Sequence, residues 1–228
     1  MSDITITKDM MRIREIFTSE RTLAWDFLSQ FDWPWEALPE IGKFLHKLSE
    51  KLDESEYHKL DNNVWIHKTA NVAPTAFIGK SVIICRDADI RHGAFIREKA
   101  LIGCGAVVGN STELKNSILF DEVQVPHFNY IGDSILGYKS HMGAGAITSN
   151  VKSDKTLVTI SCGGDKVETG LKKFGAILGD FVEVGCNSVL NPGSVIGAGA
   201  SVYPLSFVRG FVPPKSIYKK QGEIALMR

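Results

Sequence analysis

The chain has 228 residues, which is enough for one large domain or for a domain with an appendage. The 26 Lys and Arg residues balance the 26 Asp and Glu residues, so no overall field attracts nucleic acid or an anionic membrane. The hydrophobic fraction of 44% suffices for a packed core, and no apolar run approaches the roughly 20 residues that span a bilayer. The four cysteines lack C-x-x-C spacing and no secretory signal is visible, so we expect free thiols in a cytoplasmic protein.

Residues 1–60 have a helical pattern. Residues 19–22 are predicted to open a helix that runs through Phe31. A second helix is predicted after Pro39, where apolar residues recur with i, i+3, i+4, i+7 spacing up to Leu52. Five aromatic residues crowd into positions 25–35, and we expect them to stack against the first coil of the β structure that follows and to cap its open end.

From residue 61 the dominant feature is an aliphatic residue at every sixth position, usually followed four positions later by a small residue. The repeated positions are Ile66, Val72, Ile78, Ile84, Ile90, Ile96, Ile102, Val108 and Leu114; after a five-residue step Leu119, Val125 and Ile131; after another Leu136, Met142 and Thr148; and later Leu178, Val184, Leu190, Ile196, Val202 and Val208. A period of six fits neither an α-helix nor a plain alternating strand. It predicts short strands that each place one residue inward, with small residues at the corners.

The repeat is interrupted at about residues 151–176. Segments 157–160 and 166–169 flank the turn-forming residues 161–165, which predicts a hairpin, and we expect this insertion to protrude as an arm. The predicted organisation is therefore a helical segment over 1–60, a β domain with its inserted arm over 61–214, and a C-terminal tail over 215–228.

Residues 64–214 resemble a known family. The hexapeptide repeat is typical of left-handed parallel β-helices, and four motifs are similar to the acetyltransferase domain of the bifunctional UDP-N-acetylglucosamine pyrophosphorylase/glucosamine-1-phosphate N-acetyltransferase and to the C-terminal domain of related sugar-1-phosphate nucleotidyltransferases. The matches are Arg97 eighteen positions before Lys115; His127, Tyr130, Gly132 and Asp133 in H-x-x-Y-x-G-D; residues 143–150 in G-A-G-x-I-T-x-N; and residues 173–180 in K-F-G-A-x-x-G-D. Residues 33–38 are similar to the linker that precedes the β-helix in such two-domain enzymes.

The resemblance implies an acetyl-CoA-dependent N-acetyltransferase acting on an amino-sugar 1-phosphate such as glucosamine 1-phosphate. It implies His127 as general base, Arg97 and Lys115 as phosphate ligands, Tyr130, His141, Asn150 and Lys155 as further substrate-binding residues, and Ala144, Asn150 and Cys186 as acetyl-CoA-binding residues. The residue types suit this chemistry, because a neutral imidazole accepts a proton from an attacking amine and paired cations recognise phosphate.

Two positions depart from the family pattern. Residue 141 is His where the family usually has Asn, and Lys155 matches the family's lysine only with a one-residue gap. No glycine-rich nucleotide loop precedes residue 60, so we expect no nucleotidyl transfer by this chain, although its similarity favours a pyrophosphorylase-like description.

The resemblance also implies a homotrimer with sites between subunits, and it implies no bound cofactor, metal, nucleic acid or membrane. Three alternatives stay open: an acetyltransferase for another amino sugar such as galactosamine 1-phosphate, a non-catalytic sugar-nucleotide module, and a γ-type carbonic anhydrase. The last needs three histidines around one zinc ion, and His92, His127 and His141 lack the H-x-x-x-x-H pair that such a site uses.

Overall fold

The computed structural model describes residues 6–220 and 223–226, and in them the six-residue repeat forms a solenoid of short strands. In chain order the strands are β1 (Tyr57–Leu60), β2 (Val64–His67), β3 (Asn71–Val72), β4 (Phe77–Ile84), β5 (Asp89–Ile90), β6 (Phe95–Ile102), β7 (Val107–Asn110), β8 (Glu113–Leu119), β9 (Gln124–His127), β10 (Tyr130–Leu136), β11 (His141–Met142), β12 (Ile147–Thr148), β13 (Thr159–Cys162), β14 (Asp165–Glu168), β15 (Ala176–Leu178), β16 (Glu183–Val184), β17 (Val189–Leu190), β18 (Ser194–Ile196), β19 (Ser201–Val202), β20 (Phe207–Val208), β21 (Phe211–Val212), β22 (Ser216–Lys220) and β23 (Glu223–Leu226).

Strands of successive coils pair in parallel and build three faces. The first face contains β2, β15, β18, β21 and the second halves of β4, β6, β8 and β10; the second contains β3, β5, β7, β9, β11, β16, β19 and β22; the third contains β12, β17, β20 and the first halves of the four long strands. The long strands turn the corner between the third and first faces at Ser81, Lys99, Asn116 and Asp133, whose φ angles are 53°, 52°, 50° and 48°.

The repeated aliphatic residues form the interior. On the first face Ile84 pairs with Ile102, Ile102 with Leu119, and Leu119 with Leu136. The repeat positions from Ile84 to Val208 are at most 3% exposed, including the one polar member, Thr148. The predicted fold class, a left-handed parallel β-helix, is confirmed.

The N-terminal segment contains five short helical stretches. They are a 3-10 helix over Lys8–Met11, α1 (Ile13–Ile16), α2 (Trp25–Leu28), a 3-10 helix over Pro34–Glu40 and α3 (Ile41–Ser49), and a further 3-10 turn over Asp61–Asn63 follows β1. The helix predicted from residue 19 to Phe31 is reduced to α2, because the chain turns back and the Ile13 N–H donates to the carbonyl of Asp32.

The aromatic cluster of this segment does not cap the open end as predicted; β1, at the end of the segment, covers the first coil by antiparallel pairing with β2. The helical part lies along the first face, where the Phe17 ring centroid is 4.7 Å from that of Phe120 and Trp35 packs near Phe174. The reason is that the first face is apolar on its outer side too. The fully buried outward positions of this face include Ile83, Leu101, Ile118, Ile135 and Ile177.

The insertion forms the hairpin that the sequence predicted, with β13 and β14 joined at Gly163 and Gly164, both at positive φ. It is not a freely protruding arm, since Val158 and Ile160 are fully buried against the later coils. The solenoid also extends beyond residue 214, because β22 continues the second face and β23 folds back on it. Among the described residues, no helix is long and apolar enough to cross a membrane.

Candidate functional site

Three of the predicted site residues, Arg97, Lys115 and Tyr130, lie on the outer surface of the third face. Tyr130 pairs with Glu113 and Gly132 with Lys115 in the parallel ladder between β8 and β10, and Arg97 projects from the preceding coil, in β6. The repeat places residues of neighbouring coils side by side, so polar side chains that are far apart in sequence lie in contact here.

Asp133 is the centre of this cluster. Its carboxylate accepts hydrogen bonds from the Lys115 ammonium at 3.2 and 3.3 Å, from the Asn116 amide at 2.9 Å and from the Asn150 amide. The side chains of Lys115 and Asp133 are only 14% and 6% exposed, so this ion pair is largely removed from water. Asn116 also donates to the carbonyl of Leu38, which ties the cluster to the N-terminal segment.

Arg97 and Tyr130 form the outer half of the cluster. The Arg97 guanidinium donates to Glu113 at 2.9 Å, and this hydrogen bond raises the pKa of Arg97. Burial raises the pKa of the Tyr130 hydroxyl, and the charges of Glu113 and Asp133 raise it further. The Tyr130 ring folds over Gly132, where an added Cβ would lie 2.5 Å from the hydroxyl oxygen, so the glycine of the motif makes room for the tyrosine.

His127 lies at the adjacent corner, between the second and third faces. Its side chain is exposed, and its ring has no hydrogen-bond partner among residues 6–220 and 223–226. The backbone N–H of His127 donates to the buried Asn129 side chain, whose amide donates to the carbonyls of Gly143 and Ala146 at 2.9 and 3.0 Å. Asn129 therefore fixes the corner that carries the histidine against the G-A-G-A segment of the next coil.

Ala144 and Cys186 continue the same corner in the next two coils. The Gly145 N–H donates to the carbonyl of His127, and an added Cβ at Gly143 would lie 3.0 Å from Cys186 Sγ. The Gly145 and Ala146 N–H groups are both engaged in backbone hydrogen bonds, whereas the Ala144 N–H has no acceptor in the described part of the chain. Within the described residues, Ala144 is thus the one member of residues 144–146 whose backbone N–H has no acceptor.

Two predicted residues lie apart from this arrangement. His141 is on the second face, where its Nδ1 is 2.8 Å from a Glu183 carboxylate oxygen. Lys155 is an exposed residue at positive φ in a turn of the insertion, and within the described residues its side chain makes no hydrogen bond or ion pair with the cluster. The hydrogen bonds thus form two neighbouring groups, Arg97 with Glu113, and Lys115 and Asn150 with Asp133.

Sequence reasoning assigned no role to Asp133, Glu113 or Asn129. Asp133 stands in the matched motif, and an Asp or Asn at a corner is typical of positive φ, but its link to Lys115 and Asn150 depends on the stacking of coils. In the described ranges, no three His, Cys, Asp or Glu side chains lie close enough to hold a metal ion; His92 hydrogen-bonds to Thr75.

The fold and repeat define a hexapeptide-repeat β-helix protein with a polar cluster on one face. Residues 80–222 match the protein family described as the GMPPB C-terminal domain, and the chain belongs to that family. The resemblance stated from the motifs is confirmed by the relatives.

Two relatives illustrate the similarity. The bifunctional protein GlmU of Methanococcus maripaludis (strain S2) is 29% identical over 197 residues, which cover 86% of this chain and 48% of that protein. A bifunctional sugar-1-phosphate nucleotidylyltransferase/acetyltransferase of Sulfurisphaera tokodaii is 32% identical over 163 residues, covering 64% and 41%. The chain thus spans about half the length of these relatives, or less.

Among solved structures, PerB of Caulobacter crescentus, determined with CoA and GDP-perosamine, is 18% identical with a TM-score of 0.34, covering 79% of this chain and 70% of that one.

Proposed function

We propose that this chain is an acetyl-CoA-dependent N-acetyltransferase acting on an amino-sugar 1-phosphate, with glucosamine 1-phosphate as the first acceptor to test. The observation that carries the proposal is the adjacency of two groups of residues. One is the cluster of Arg97, Lys115, Tyr130 and Asn150, and the other is the corner with the exposed His127 ring and the available Ala144 N–H. The names of the relatives support the reaction class.

In the proposed reaction His127 and the Ala144 N–H have separate roles. The neutral acceptor amine attacks the thioester carbon, a C–N bond forms, and the C–S bond to CoA breaks. His127 accepts the proton that the amine loses and passes it to the departing thiolate, a role typically worth about 10²–10⁴-fold in rate. The Ala144 N–H donates to the thioester oxygen as negative charge develops on it, and the small side chain of Ala144 allows close approach.

We propose different tasks for the two predicted phosphate ligands. The Arg97–Glu113 pair is half exposed, so a phosphate can replace the carboxylate at the guanidinium and accept two parallel hydrogen bonds. The Lys115–Asp133 pair is nearly buried, so Lys115 keeps its carboxylate partner and presents its remaining N–H groups to the acceptor. Tyr130 and Asn150 then supply a hydroxyl and an amide for the sugar.

We also propose the homotrimer that the resemblance implies. Exposed apolar residues lie on both sides of the polar cluster, along the third face and at its corner with the second face, and exposed apolar surface of this kind favours contact with another subunit. They are Phe77, Phe95, Phe128, Leu205 and Phe207, with exposed fractions of 39–79%. Sedimentation analysis of the wild type and of Phe207→Glu tests this proposal: a trimer that dissociates in the variant is expected, and a wild-type monomer would contradict it.

The activity is tested by following free thiol released from acetyl-CoA. Acceptors are glucosamine 1-phosphate, galactosamine 1-phosphate and the two unphosphorylated amino sugars, so the panel also separates the alternative acceptors. We expect release with a 1-phosphate acceptor, and Lys115→Met is expected to raise KM for it roughly 10- to 100-fold. Lys80→Met, at an exposed lysine nearer the first coil, is the control. No thiol release above the acceptor-free reaction would overturn the proposal.

A further inference from the structure

A polar cleft adjoins the polar cluster of Lys115 and Asp133 on the side of the later coils. It lies between the insertion and the third face and has a volume of about 400 Å³, within the usual range for small-ligand sites. Ser149, which lines it, directly precedes Asn150 of the cluster. No residue of this cleft has a task in the mechanism above.

One wall of the cleft is a column on the solenoid. Thr148 pairs with Leu190, and Leu190 with Val208, so the residues that follow them, Ser149, Asn191 and Arg209, stand side by side in three successive coils. Arg209 is exposed, with its guanidinium 4.8 Å from the centroid of the Phe207 ring. Within the described residues no carboxylate lies within 4.0 Å of this guanidinium.

The other wall is the insertion, which is fixed in place. Val158 and Ile160 are fully buried, and the Ser161 carbonyl approaches so closely that a Cβ at Gly210 would lie 2.4 Å from its oxygen. Lys152 belongs to this wall, and its ammonium donates to the Thr156 hydroxyl at 2.6 Å and to the Leu157 carbonyl at 3.4 Å. The packing therefore holds Lys152 and Arg209 on facing sides of a preformed cleft.

The hydroxyl groups of the cleft are free to donate to a ligand. The hydroxyls of Ser149, Ser153, Thr159 and Ser161 line it, and none makes a hydrogen bond to another group in the described part of the chain. The one carboxylate present, Asp154, accepts from the Thr156 N–H and hydroxyl, which lower its pKa, and lies 3.7 Å from Lys152. Two cations and four hydroxyl donors against one carboxylate give a surface that favours an anion.

We propose that this cleft binds a phosphate group, held by Arg209 from the solenoid and Lys152 from the insertion. Planar Arg recognises phosphate through two parallel hydrogen bonds, and Lys adds a point charge. If the proposed function is correct, the phosphate belongs either to the acceptor or to the nucleotide part of CoA. Only this choice of ligands rests on the proposed function; the phosphate site itself does not. The insertion thus serves as one side of a ligand site.

The test compares ligand binding to Arg209→Gln, Lys152→Gln, Arg209→Lys and the wild type by calorimetry. The probes are CoA, dephospho-CoA, glucosamine 1-phosphate and the unphosphorylated ligands pantetheine and glucosamine. Lys166→Gln, at an exposed lysine of β14 outside the cleft, is the matched control. Thermal unfolding of each variant confirms that it is folded.

We expect each Gln variant to weaken at least one phosphorylated probe roughly 10- to 100-fold, with a smaller loss in Arg209→Lys and none in Lys166→Gln. A loss for CoA but not dephospho-CoA assigns the 3′-phosphate, a loss for both assigns the diphosphate, and a loss for glucosamine 1-phosphate assigns the acceptor. Unchanged dissociation constants for all phosphorylated probes, no binding of any of them to the wild type, or an equal loss for the unphosphorylated probes would overturn the proposal. Because the assay measures binding without turnover, failure of the proposed acetyl transfer and failure of the proposed phosphate site can be told apart.

Discussion

Replacement of Asp133 by Asn is expected to destabilise the chain more than any other single change in the polar cluster. Asn keeps the shape of the side chain and tolerates the φ of 48°, so the substitution removes the charge and replaces one acceptor oxygen of the cluster by an N–H donor without changing the backbone. In the variant, the Lys115 ammonium, 14% exposed, faces a neutral amide. Loss of one partner of a buried ion pair typically costs about 3–5 kcal/mol, and we expect about 3 kcal/mol here because some solvent reaches Lys115.

The measurement is urea unfolding with thermal unfolding beside it, where about 3 kcal/mol corresponds to a fall in Tm of roughly 6–12 °C for a chain of this size. Glu113→Gln is the control, because its ion pair with Arg97 is half exposed and should contribute far less. The double variant Lys115→Met/Asp133→Asn should recover part of the loss, since the uncompensated ammonium is then gone. The reasoning fails if Asp133→Asn costs no more than Glu113→Gln, or if the double variant shows no recovery.

Three further predictions follow from the same structure. His127→Ala should lower kcat at least about 10²-fold with Tm unchanged, because the ring is exposed and serves only the reaction; a variant with most of its kcat in the thiol-release assay would exclude the general-base role. Gly132→Ala should displace the Tyr130 ring and raise the acceptor KM. Gly42→Ala in α3 is the control and should leave KM unchanged, because the added methyl meets only the Lys99 side chain at 3.4 Å. If Gly132→Ala has the same KM as the wild type, the position of the Tyr130 ring is unimportant for acceptor binding. Burial raises the pKa of Asp180, so the folded chain binds a proton at this carboxylate more tightly than the unfolded chain does. The wild type should therefore gain stability relative to Asp180→Asn as pH falls from 7 toward the pKa of the unfolded chain, about 3.9. A difference in Tm that does not change with pH would contradict this prediction.

The solenoid could be predicted from the sequence because its determinant is local and periodic. Each coil has the same pattern, an aliphatic residue that points inward and a small residue near the corner. Ile84, Val108 and Leu190 could therefore each be assigned to the interior without knowledge of the other coils. The insertion hairpin was equally local, since Gly163 and Gly164 supply the positive φ angles that its turn requires. The candidate site residues came from a matched motif, which gave their identity but not their contacts.

The tertiary structure decided how the coils and the N-terminal segment meet. Lys115, Asp133 and Asn150 are 17 or 18 residues apart in successive coils, so their contact depends on how the corners stack, including the shortened corners at Asn116 and Asp133.

The place of the N-terminal segment was decided in the same way. It follows the apolar outer side of the first face, a property that emerges only when Ile83, Leu101 and Ile118 are aligned across three strands. The sequence alone determined the repeating unit because inward burial is settled within six residues. Pairing of polar side chains between coils and the covering of a face depend on distances between coils, which only the assembled solenoid sets.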